Sequence, residues 1–212
     1  MVRVKVCGIT RYEDAAMAIR LGVDALGFIF APSPRQISPE SAREIIRAIP
    51  PFVKTVGVFV DERPAVVREI MRVCALDLIQ FHGDEPPEVC GDFMPRAIKT
   101  FRVRDRSVLQ SVLPYKGKIK AVLFDTYEDK RRGGTGKTFN WDIAVMGKGL
   151  SVPLILSGGL TPENIEIAIS TARPFAVDVN SGIEGRPGKK DAVLMTALME
   201  KVRYANNSKE RK

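Results

Sequence analysis

The chain has one histidine, one tryptophan and three cysteines, and each scarcity excludes something. A lone histidine, His82, makes a poor metal site, because metal centres draw on clusters of histidine, cysteine and carboxylate ligands. No metal is therefore expected. Cys7, Cys74 and Cys90 are odd in number and show neither metal nor disulfide spacing, so a reducing, cytoplasmic location is expected. No apolar run approaches the roughly 20 residues of a membrane span, and the N-terminus enters a strand without a leader pattern. No basic stripe with interleaved aromatics is present, which argues against a nucleic-acid partner. The first turn, Cys7-Gly8-Ile9-Thr10, lacks the Gly-x-Gly-x-x-Gly of a dinucleotide fold.

What remains is ample for one globular domain. At 212 residues with 45% hydrophobic content, the chain can bury a proper core. The net charge is +8, and Lys201, Arg203, Lys209, Arg211 and Lys212 against Glu210 place half of it in the last twelve residues. The modest excess left over suits a small anionic substrate.

Apolar, β-rich runs recur at 2–7, 25–30, 55–60, 76–82, 97–101, 121–125, 154–157 and 176–180, with helical stretches between them. Continuous runs of this length suit strands buried on both faces of a parallel sheet. Ser38-Pro39-Glu40 and Thr161-Pro162-Glu163 read as helix N-caps followed by proline, and Thr10 with Glu13 as a capping box. Gly22 is placed to end the first helix. The last helix, around 191–204, would set Val193, Leu194, Leu198 and Val202 in a stripe. Eight strands alternating with helices is the count for an α/β fold of the (β/α)8 barrel type. The length is short for that fold, so some helices must be brief, 106–115 first among them. Residues 1–205 are expected to form one barrel and 206–212 a frayed, basic, polar tail.

Parallel α/β folds place their chemistry at the C-terminal strand ends, so those ends carry the candidates. Cys7 closes the first strand. It reads either as a small buried hydrophobe or as a thiol made reactive near a helix N-terminus. Alternation sends Val122 and Phe124 outward and Asp125 inward, as a general acid or as a loop cap. The run Lys130–Lys137 holds Gly133, Gly134 and Gly136 among basic residues, which suits an anion or a flexible loop. Strands seven and eight end in Gly158-Gly159 and Ser181-Gly182, where barrels build phosphate sites from backbone N–H groups. Arg35, in a proline-stiffened loop, could grip a carboxylate with two parallel bonds or lie solvated. His82 points inward toward substrate contact or packing, while Cys74 and Cys90 lie off the strand ends as structural thiols.

Together these strand ends resemble the phosphoribosylanthranilate isomerase family of tryptophan biosynthesis. The matching pieces are Lys5–Thr10, Gly27–Phe30 with Ser33–Arg35, Val56–Phe59, Gln80–Gly83, Gly133–Gly136 with Phe139 and Trp141, Leu156–Leu160, and Val177–Gly182 with Pro187-Gly188. They follow family order along essentially the whole chain. Phe81 stands where leucine is usual, and Asn180 where serine is. The resemblance implies an Amadori rearrangement, with Cys7 as general base and Asp125 as general acid, and without cofactor. It further implies that Arg35 holds the anthranilate carboxylate and that Gly158-Gly159 and Ser181-Gly182 bind the phosphate. Asp178 would orient ribose hydroxyls or pair with Lys5. The implied partner is a small phosphorylated molecule, handled by a monomer or homodimer. A metal-dependent sugar-phosphate epimerase would want several inward histidines. The histidine-pathway isomerase would favour aspartates at both barrel halves, where this chain has Cys7 first. A non-catalytic relative would be expected to lack Cys7 or Asp125.

Overall fold

The computed structural model describes residues 1–126 and 141–207. Eight parallel strands close into a barrel in sequence order. They are β1 (Arg3–Val6), β2 (Ala25–Ile29), β3 (Lys54–Phe59), β4 (Leu78–Phe81), β5 (Ala97–Val103), β6 (Ala121–Thr126), β7 (Leu154–Leu156) and β8 (Ala176–Val179). Closure comes from β8 pairing with β1, with Lys5 opposite Asp178 in the register. Among the described residues the α-helices are α1 (Tyr12–Arg20), α2 (Pro39–Arg47), α3 (Pro64–Cys74), α4 (Pro87–Gly91), α5 (Val108–Val112), α6 (Asp142–Met146), α7 (Ile165–Ala172) and α8 (Ala192–Asn207). This is the expected (β/α)8 barrel. Its small size is achieved by cutting α4, α5 and α6 to five residues each, and α5 passes straight into a 3-10 turn at Leu113–Tyr115.

Strand alternation divides the apolar residues into two cores. Val56, Ile98, Ala121, Leu123, Ile155 and Ala176 fill the barrel, while Val4, Val6, Val122 and Phe124 face the helices. Gly22, at φ +82°, ends α1 in the left-handed conformation that glycine adopts without strain. Ser38 caps α2 by accepting from Ser41 N–H.

Four details differ from the sequence reading. The Thr10–Glu13 capping box does not form: Arg11 occupies the N-cap position, and the Thr10 hydroxyl donates to Gly188 O at 2.6 Å. A carbonyl brought in from the far end of the chain wins over the local cap. Thr161 does accept from Glu163 N–H, but it closes a turn, and α7 starts only at Ile165. On α8, Val193 is 77% exposed, and the buried face is Met195, Leu198, Met199 and Val202. The helix also runs past the expected boundary at 205, because Asn206 is buried against Val2. The Lys130–Lys137 loop and Phe139 lie outside the described residues.

Candidate active site

The C-terminal mouth of the barrel encloses a cavity of about 560 Å³. Cys7 from the end of β1 and Asp125 from β6 stand in its wall with His82 from the end of β4. On the β7 and β8 side the wall is made by Gly158, Gly159, Ser181 and Gly182, with Asp178 beneath them. Eight of the nine residues picked from the strand ends therefore share one cavity. The ninth, Arg35, is not in the lining but lies beside one residue that is, since a Cβ on Gly8 would meet both Asn180 Oδ1, at 2.7 Å, and Arg35 Cδ, at 3.0 Å.

Cys7 owes its setting to glycine. A Cβ on Gly27 of β2 would lie 2.8 Å from Cys7 Sγ and 2.9 Å from Lys5 Nζ, so only glycine leaves both side chains room. Gly8, at φ +72°, turns the chain away from the barrel immediately afterwards. Cys7 is only 5% exposed, and burial pushes its thiol above the ordinary value against the pull of the Lys5 and Lys190 ammonium groups. This corrects the idea of a thiol lowered by a helix N-terminus, since α1 begins only at Tyr12. Lys5, within the barrel, pairs with Asp178 at 2.9 Å. Burial opposes the Lys5 charge, but the attraction of Asp178 and Cys7 outweighs it and holds the ammonium above its ordinary range. Asp178 thus takes the pairing role while still touching the cavity. Cys74 ends α3 and Cys90 lies within α4, both buried, and desolvation drives Cys90 up to about 11, as for an inert packing thiol.

Asp125 Oδ2 lies 3.4 Å from His82 Nε2. The other ring nitrogen of His82 is 3.2 Å from the Gln80 carboxamide nitrogen, whose second hydrogen reaches Thr100 Oγ1. The Gln80 amide and the Asp125 carboxylate thus flank the two ring nitrogens of His82.

At the ends of β7 and β8 the backbone is shaped for an anion. Gly158 and Gly159 have φ of +87° and +63°. A Cβ on Gly158 would collide with Thr126, and one on Gly182 with the Leu160 carbonyl. Among the described residues, the N–H groups of Gly158, Gly159, Ser181 and Gly182 find no backbone acceptor. Unspent backbone donors of this kind at a cavity wall are able to cradle an anion.

Four residues that sequence reasoning left out complete the mouth. Glu184 and Lys190 come from a small antiparallel hairpin after β8, made of β9 (Glu184–Arg186) and β10 (Lys189–Lys190). Lys190 Nζ donates to Asn180 O and Oδ1 and to Glu184, which gives the unusual Asn180 its structural part. Burial holds the Lys190 ammonium below its usual range despite Glu184. Arg102 enters the cavity from β5 beside Asp125 in the register. Thr126 lines the cavity too, and its hydroxyl is buried without a partner among the described residues. The alternation that selected Asp125 also selects Arg102, after inward Ile98 and Thr100. The signal for the hairpin was the Pro187-Gly188 turn between two charged segments.

A closed parallel barrel with thiol, carboxyl and anion cradle at its C-terminal mouth defines the class: this is a (β/α)8-barrel enzyme. Comparison with known proteins narrows it. Residues 4–201 match the family model described as N-(5'phosphoribosyl)anthranilate (PRA) isomerase. The N-(5'-phosphoribosyl)anthranilate isomerase of Geobacter sulfurreducens is 50% identical over 96% of this chain and 99% of its own. That of Moorella thermoacetica is 49% identical over 97% of this chain and 91% of its own. The crystal structure of the phosphoribosyl anthranilate isomerase from Thermotoga maritima superposes with a TM-score of 0.90, at 43% identity, covering 96% of this chain and all of the other. A second solved isomerase, in complex with reduced 1-(o-carboxyphenylamino)-1-deoxyribulose 5-phosphate, gives 0.87 at 40% identity over 96% of this chain. The chain belongs to the phosphoribosylanthranilate isomerase family.

Proposed function

We propose that Cys7 and Asp125 divide the proton transfers of the reaction this chain catalyses in tryptophan biosynthesis. That reaction is the Amadori rearrangement of N-(5'-phosphoribosyl)anthranilate to 1-(2-carboxyphenylamino)-1-deoxyribulose 5-phosphate. The observation that carries the assignment is the position of the two groups. They come from β1 and β6, in the wall of one cavity whose β7–β8 side is the anion cradle. The substrate has a phosphate at one end and a carboxylate at the other. With the phosphate on the Gly158-Gly159 and Ser181-Gly182 amides and the carboxylate on Arg35, the ribose lies between Cys7 and Asp125. A relative 40% identical to this chain holds a reduced product of that chemical form.

Asp125 gives a proton to the furanose ring oxygen, the bond from that oxygen to C1′ breaks, and the nitrogen lone pair forms the iminium. The Cys7 thiolate then removes the proton on C2′, and the released electron pair makes the C1′–C2′ double bond of an enolamine. Tautomerisation returns a proton to C1′ and takes one from the C2′ hydroxyl, leaving the ketone. Burial disfavours the thiolate, and the ammonium groups of Lys5 and Lys190 offset part of that penalty. His82 faces Asp125 and holds its carboxyl toward the cavity.

The test is a coupled fluorescence assay with freshly generated phosphoribosylanthranilate. Cys7→Ser and Asp125→Asn are each expected to lose turnover by about 10²- to 10⁴-fold, the usual worth of a positioned acid or base, with unchanged thermal unfolding. Full activity in either variant removes the role given to that residue. Inactivity of the folded parent removes the activity itself.

A further inference from the structure

Arg35 does not meet the cavity as a free cation. Its Nε lies 3.0 Å from both oxygens of Glu184, and its Nη2 lies 2.7 Å from Oε2. Two accounts of this pair are possible. Glu184 could be a placeholder that a substrate carboxylate displaces, or a fixed support that aims Arg35. The other bonds to Glu184 decide between them. Its Oε1 also accepts from Lys190 Nζ at 3.0 Å and from Gly188 N–H at 3.2 Å. Displacement would strip a carboxylate whose side chain is 3% exposed from three donors, one of them an equally buried ammonium. An uncompensated buried charge of that kind is strongly unfavourable. Glu184 therefore stays in place. Its bonds use the Nε–Nη2 edge of the guanidinium, and a guanidinium has a second edge. Among the described residues Nη1 has no acceptor, and with the remaining hydrogen of Nη2 it forms a second two-pronged fork.

We propose that Glu184 is a positioning residue for substrate selection: it fixes Arg35 by one edge so that the other receives the anthranilate carboxylate. This rests on the reading of Arg35 as the carboxylate-binding residue. Glu184 touches no substrate atom. Its effect is to set the guanidinium plane before binding, which removes the ordering entropy of a long side chain from the binding step. The hairpin after β8 then has a function: it carries Glu184 to the loop after β2, and the Thr10 hydroxyl anchors its turn at Gly188.

The experiment compares two substrates, phosphoribosylanthranilate and the adduct of aniline with ribose 5-phosphate, which lacks the carboxylate; product is followed by chromatography. For Glu184→Gln, KM for the carboxylated substrate is expected to rise about tenfold, the scale of one charge-assisted hydrogen bond, with kcat within twofold. With the aniline adduct, parent and variant should agree within twofold. Arg35→Gln should show the same carboxylate-specific loss, and the double variant should be no worse than Arg35→Gln alone, as for residues acting through one another. Equal losses on both substrates would make Glu184 a structural brace, and no loss on either would make it irrelevant; both overturn the proposal. An Arg35→Gln variant without carboxylate dependence instead removes the reading of Arg35, and this proposal with it. If Glu184→Gln does not fold, Glu184→Asp, which withdraws the same charge by one methylene, serves the same comparison.

Discussion

A thiol that is both buried and asked to act as a base has a measurable signature. Desolvation raises Cys7 above its ordinary 9.0 in the free enzyme, with Lys5 and Lys190 pulling against it. Because the thiolate is the active form, a raised value leaves less of it at neutral pH and lets it grow as pH rises. We expect the Cys7-specific alkylation rate, taken as the difference in iodoacetamide labelling between the parent and Cys7→Ser, to climb steadily from pH 7 to 9 without a plateau, because it reads the thiolate apart from the acid that kcat/KM also requires. A level rate over that range would refute the raised thiol. The location of Cys7 was legible in the sequence, because strand alternation in a closed barrel decides which residues face the axis. So were those of Asp125, His82 and Asp178. The ionisation of Cys7 was not legible. It depends on a lysine two residues away, an aspartate on the adjacent strand and a lysine on a distant hairpin. A helix N-terminus was the nearest local candidate, and its first turn lies too far along the chain to serve. Arg35 shows the same limit, because its partner is 149 residues away.

Among the elements, the ends of β7 and β8 are built by exclusion of side chains. Gly182 packs against the Leu160 carbonyl, a backbone atom that cannot swing aside as a side chain would. Gly182→Ala should therefore lose about 1–3 kcal/mol by overpacking and weaken competitive inhibition by inorganic phosphate. Gly149 supplies the control. A Cβ there meets nothing within 4 Å, so Gly149→Ala should stay within about 0.5 kcal/mol and leave phosphate inhibition unchanged. Urea unfolding and inhibition kinetics on both variants check this, and equal behaviour of the two would refute the packing account. The eight strands were readable because buried parallel strands leave unbroken β-branched runs. Helix starts were less so. Ser38 caps α2 because nothing competes for its hydroxyl outside the helix, whereas Thr10 finds Gly188. Capping patterns describe what a hydroxyl can do locally, and tertiary contacts choose among the options. The stripe on α8 was misplaced at Val193 for a related reason: the face is set by where Leu198 and Val202 meet the barrel, and Val193 lies off it.

At the scale of the whole molecule, the barrel separates stability from chemistry by putting them at opposite ends. The cavity is at the C-terminal ends of the strands, and Val2 and Asn206 are joined at the other. Val2, preceding β1, has no strand partner for its N–H toward solvent, and Asn206 from α8 supplies one. Its Oδ1 accepts from Val2 N–H at 2.7 Å, and its Nδ2 donates to Val2 O at 3.2 Å, so a carboxamide acts as a miniature strand. A boundary drawn at 205 would cut this contact away. Asn206→Ala leaves two buried backbone groups unsatisfied, at about 1–3 kcal/mol each. In a protein of this size each kcal/mol is worth about 2–4 °C. The melting temperature is therefore expected to fall by at least about 4 °C. At 25 °C, kcat and KM should stay within twofold of the parent, because the lesion lies at the opposite face from Cys7 and Asp125. A fall in kcat with no change in melting temperature would refute this division between the two faces, and would mean that the N-terminal end of β1 is coupled along the strand to the thiol at its other end.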